Sequence, residues 1–110
     1  MNTSFDKRQK SFEAKWAHDE ELRFKVFARR NKLLGLWAAK EMSMAADAVD
    51  GYAREVVKAD FEKPGDEDVF EKIRRDFDAK GITVSDHTIR RTMDELLETA
   101  KSQIEPEAGP

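Results

Sequence analysis

The groups from which this 110-residue chain could build a metal or acid–base centre are two histidines, His18 and His87, and 23 carboxylates. A di-metal site inside a helical bundle needs Glu three residues before each inward His, so that both ligands share a face. Lys15 and Val84 stand there instead. No His-Glu-x-x-His helix, Gly-x-x-x-x-Gly-Lys phosphate loop or Gly-x-Ser-x-Gly elbow occurs. Asp66-Glu67-Asp68 resembles the start of a calcium loop but lacks its glycine at the sixth position and its glutamate at the twelfth. At a helix start, such carboxylates are explained by the helix dipole. With no cysteine, there is no thiolate ligand, sulfur nucleophile or disulfide, which fits a reducing compartment. His18 beside Asp19 reads as a solvated pair, with a pH-sensing contact at an interface as the alternative. We expect no enzyme, no metal and no tightly held cofactor.

The densest basic cluster is Arg29-Arg30-Asn31-Lys32. One reading packs the side-chain stems beside a buried stripe and leaves the heads in water. The other makes Arg29, Arg30 and Lys32 an anion or nucleotide contact, or a contact to a protein partner. Trp37 lies on the apolar arc and is expected in the core rather than under a base. Residues 1–37 carry nine Lys/Arg against five Asp/Glu, a charge of +4, and residues 38–110 carry eleven against eighteen, −7. A cationic leader on an acidic body suits an anionic surface or an acidic protein cleft. The excess is too small for general nucleic-acid binding.

Phe5, Phe12 and Trp16 interrupt an otherwise charged N-terminal stretch. At about 100° per residue, their spacing brings all three rings within roughly 40° of one another on one helix face. The stripe has three readings: a helix docked on the rest of the chain, a protein-partner motif, or a membrane-surface helix. A membrane helix would want more aliphatic bulk and fewer acids than Asp6, Glu13 and Asp19 supply. From Leu22 to Trp37 the apolar arc is much wider. The back half is therefore built for a core, and the front half for something outside it.

No segment alternates apolar and polar residues in the manner of a strand, so the fold class is all-α. The first helix is predicted from about Ser4 to Lys40, with Gly35 its internal weak point. Ser43 is predicted to cap a second helix over about 44–61. A third, 67–80, follows Pro64-Gly65-Asp66 and stops at a left-handed Gly81. Ser85 caps the last, about 86–105, ahead of Pro106. Short connections favour antiparallel neighbours, hence a small four-helix bundle over 21–105, a mobile or projecting segment 1–20, and a disordered tail 106–110. Ordering the backbone costs about 1–2 kcal/mol per residue, more than three rings offset over the leader, so that segment is expected to fold on a partner. No run of about 18 apolar residues spans a membrane, and the N-terminus lacks the basic-then-apolar layout of a signal peptide, so the expected location is cytoplasmic.

Three stretches together resemble the zeta subunits, the inhibitory subunits of alphaproteobacterial F-type ATP synthases. They are Phe5-Asp6-Lys7-Arg8 with Phe12-Glu13-Ala14-Lys15-Trp16-Ala17-His18-Asp19, then Arg29 through Ala39, then Glu55 through Glu62. The middle block is the most specific, and the resemblance covers nearly the whole chain. It implies a regulatory subunit that blocks ATP hydrolysis when its N-terminal helix enters a catalytic alpha/beta interface near the gamma shaft. It also implies a place at the cytoplasmic face of the inner membrane and a free monomer. Phe5, Phe12 and Trp16 would be the apolar anchors, Lys7, Arg8 and Lys15 would pair with carboxylates of the cleft, and Asp6, Glu13 and Asp19 would complete the partner-binding set. Weak adenine-nucleotide binding to the bundle is implied as well, though no phosphate-cradling motif marks it. Trp16 departs from the smaller aromatic expected there, and Glu41-Met42-Ser43-Met44 departs from a leucine- and glycine-containing turn. The alternative is a nucleotide-sensing or general protein-interaction bundle whose N-terminus is vestigial.

Overall fold

The computed structural model describes residues 10–62 and 66–108. Helix α1 covers 10–15, α2 Glu20–Glu41, α3 Ala46–Glu62, α4 Asp66–Ala79 and α5 Asp86–Ile104. Among the described residues there is no strand. Helices α2 to α5 make the four-helix bundle, with α2 packed along both α3 and α5. Leu22, Val26, Leu34 and Ala38, spaced in multiples of four along α2, are all buried, as a helix facing two neighbours requires.

The predicted first helix is two helices. Residues 16–18 form a turn, and the side chain of Asp19 accepts a hydrogen bond from the Leu22 amide at 3.0 Å, capping a fresh start at Glu20. Aspartate before two glutamates is a strong N-terminal signal, because it satisfies an orphan amide and complements the dipole.

The joint after α2 also differs from expectation. Ser43 does not cap α3; it ends α2 in the left-handed region, φ 53°. Its amide bonds Lys40 O at 3.0 Å, and the Met44 amide reaches Ala39 O at 3.0 Å, the paired bonds of a Schellman stop. Gly81 closes α4 in the same way, with φ 71° and bonds from Gly81 to Asp78 O and from Ile82 to Phe77 O. Ser85 caps α5 as predicted, accepting from the Thr88 amide at 3.1 Å. Where a loose tail was expected after α5, Glu105–Ala108 forms a 3-10 turn. Pro106 is tolerated in this first turn because its missing amide would have had no helical partner there.

The core has two lobes. The larger gathers Leu34, Ala38, Tyr52, Val56, Val69, Ile73, Phe77 and Ile89, with Trp37 half-buried against it and edge-on to Phe77 at 5.6 Å. The smaller holds Phe12, Leu22, Val26, Ala100 and Ile104. Ala48, predicted on the apolar side of α3, is exposed, and the side chain of Phe61 lies outside the described residues.

Candidate functional site: the docked N-terminal helix

Phe12 is only 4 % exposed. It sits in the smaller lobe between the first turns of α2 and the last turns of α5. Trp16, one turn on, packs against the same lobe and meets the Phe27 ring at 6.0 Å and 53°. Lys101 of α5 brings its Nζ 4.4 Å from the centre of the Trp16 ring while pairing with Glu98 at 2.8 Å and Glu13 at 3.7 Å. A cation over an indole face is attracted by the ring quadrupole, so one ammonium ties α5 to both a carboxylate of α1 and the ring of Trp16 just beyond it.

The described part of the leader, from residue 10, lies docked on the smaller lobe through Phe12 and Trp16. The physical reason lies in how the core divides: the apolar residues of α4 pack in the larger lobe, whereas Ala100 and Ile104 at the end of α5 lie in the smaller one, where Phe12 covers them. Sequence reasoning did not single out Ala100, Lys101 or Ile104 as part of a site; the apolar stripe of α5, which runs on through Ala100 and Ile104, is the signal that could have found two of them. Lys101 itself has no periodicity to mark it.

The sequence-predicted residues scatter. Phe5, Asp6, Lys7 and Arg8 lie outside the described residues. Phe12, Glu13 and Trp16 converge on α5, whereas Lys15 is exposed. Asp19 is used as the α2 cap. In the basic cluster, Arg29 donates to Gln103 of α5 at 2.8 Å, and Lys32 is exposed. Arg30 is 1 % exposed; it donates to Asn31 Oδ1 and to Asp66 Oδ1, both at 2.7 Å, and lies 5.2 Å from the centre of the Phe27 ring. The heads of Arg29 and Arg30 are directed to different helices, and no phosphate cradle results. Asp66, read as a dipole partner of α4, also neutralises this buried guanidinium.

A groove of about 820 Å³ opens between α2, the end of α3 and the start of α4. Its apolar wall is Phe24, Phe27, Ala28 and Val57, and its polar lining is Glu20, Glu21, Asp60 and Asp66 beside Arg23 and Asn31. Four carboxylates against one lining arginine oppose a nucleotide phosphate. Among the described residues no three His, Asp or Glu side chains gather to hold a metal ion.

The described residues thus form an all-helical bundle with a short aromatic segment packed against one end. The chain belongs to the ATPase inhibitor subunit zeta family, which it matches over residues 1–103. It is 43 % identical to a protein solved by solution NMR, with a TM-score of 0.69 over 78 % of this chain and 98 % of that one. No curated protein matches it. Family membership supports a regulatory, non-catalytic role as an ATP synthase inhibitor. Among the described residues, no helix is long and apolar enough to cross a membrane.

Proposed function

We propose that this chain stops ATP hydrolysis by the F-type ATP synthase by inserting residues 1–20 at an alpha/beta interface beside gamma. The single observation that carries the reading is that the family match starts at residue 1 and so includes the aromatic leader. Phe5, Phe12 and Trp16 supply apolar anchors for a closing cleft, and Lys7, Arg8 and Lys15 supply charge to meet carboxylates around it. A wedge in an interface that must open and close halts the cycle with no chemistry of its own. The bundle then serves as an anchor on the outer face of the catalytic head, at the cytoplasmic side of the inner membrane.

The test is ATPase activity of synthase stripped of this subunit. Full-length protein should suppress hydrolysis in a saturable way, and a chain beginning at Asp19 should not. Undiminished hydrolysis at saturating full-length protein would remove the proposal.

A further inference from the structure

We infer that the docked α1 is an autoinhibitory latch: α5 holds Phe12 and Trp16, and their release sets how strongly the chain inhibits. The inference rests on the function proposed above and adds its regulation. Phe12 is sealed among Leu22, Val26, Ala100 and Ile104. A side chain so placed cannot also fill a pocket on another protein, so docking and insertion are mutually exclusive. The competing state lowers apparent affinity by the fraction of molecules that are open.

The local architecture suits a latch rather than a permanent joint. The described contact comprises one buried ring, one half-buried ring that meets Phe27 and the Lys101 ammonium, and an ion pair of 3.7 Å between Glu13 and Lys101. Release of α1 also leaves α2 intact, because α2 is capped by Asp19 from outside α1. The turn at 16–18 is then the hinge. What remains behind is an apolar slot between α2 and α5, with Lys101 at its rim.

Residues of α5 that lie far from the leader in sequence therefore control inhibition. Ile104→Ala shortens the floor of the slot, and Lys101→Ala removes both the ion pair and the cation over Trp16. Each should shift Trp16 emission to longer wavelength in a Trp37→Phe background. Each should also lower the concentration for half-maximal ATPase inhibition by about three- to tenfold, as a larger open fraction requires. Conversely, because the chain has no cysteine, a Glu13→Cys, Lys101→Cys pair can be joined with a reductant-cleavable bis-maleimide. The joined protein should inhibit at least tenfold less well and recover when the linker is cut.

The latch is overturned if Trp16 emission ignores both α5 substitutions, or if the linked protein inhibits as well as the cleaved one. It is also overturned if emission shifts while the half-inhibitory concentration stays put. These failures differ from failure of the parent proposal, in which the unmodified chain does not inhibit at all and Trp16 emission alone still reports the contact.

Discussion

A Cβ placed on Gly35 would lie 2.7 Å from the Cα of Ala53 and 3.2 Å from Val56 Cγ2. Helices α2 and α3 thus touch nearly backbone to backbone at this level, and the glycine is the reason they can.

Gly35→Ala tests that contact against helix propensity. Alanine should add about 1 kcal/mol to an isolated helix. Here the new methyl meets backbone rather than a yielding side chain, and overpacking of this kind costs about 1–3 kcal/mol. We expect net destabilisation of up to about 2 kcal/mol, read as a lower urea midpoint with an unchanged slope. An alanine variant more stable than the parent would show that α2 and α3 separate easily.

Arg30 and Asp66 provide the second test. The guanidinium is buried, whereas the Asp66 carboxylate is 55 % exposed. Asp66→Ala strips a sealed cation of its carboxylate and should destabilise by about 1–3 kcal/mol, the range for an unsatisfied buried group. Glu67→Ala is the matched control on the same first turn of α4. Its partner Arg90 is 45 % exposed, and breaking a solvent-accessible pair costs only about 0.2–1 kcal/mol. Equal urea midpoints for the two variants would contradict the burial argument.

Tyr52 makes stability depend on alkaline pH. Burial, then the hydrogen bond to and charge of Asp76, then the charge of Glu55, hold its phenol far above the ordinary value. Its hydroxyl donates to Asp76 Oδ2 at 2.7 Å. The folded state therefore keeps this proton where the unfolded chain gives it up near pH 10. Its contribution is fully present below about pH 10 and is lost progressively above it, since the unfolded state then binds fewer protons. As the chain has a single tyrosine, absorbance near 295 nm should rise only with unfolding. Tyr52→Phe should flatten the fall in stability above pH 10. Tyrosinate appearing near pH 10 in a folded chain would show the hydroxyl to be free.

Local signals were legible where local chemistry decided the outcome. Ser85 and Gly81 bound helices as their types predict, and the four apolar stripes α2 to α5 read out the bundle. The break at 16–19 was missed because an unbroken aromatic stripe outweighed a single capping aspartate. Ser43 was misassigned because serine favours N-caps, and only the chain path shows it spending that preference in a left-handed stop. Arg30 looked like a solvent-facing cation from its charged neighbours. Its burial depends on Asp66, 36 positions away.

The order of residues by itself determined an all-helical chain of the zeta family with a cationic, aromatic leader, because helical period and cap chemistry act over a few positions. Only the tertiary structure decided where that leader rests. Phe12 sits buried because the start of α2 and the end of α5 together give it apolar surface to cover, and no local pattern encodes which two helix ends will meet.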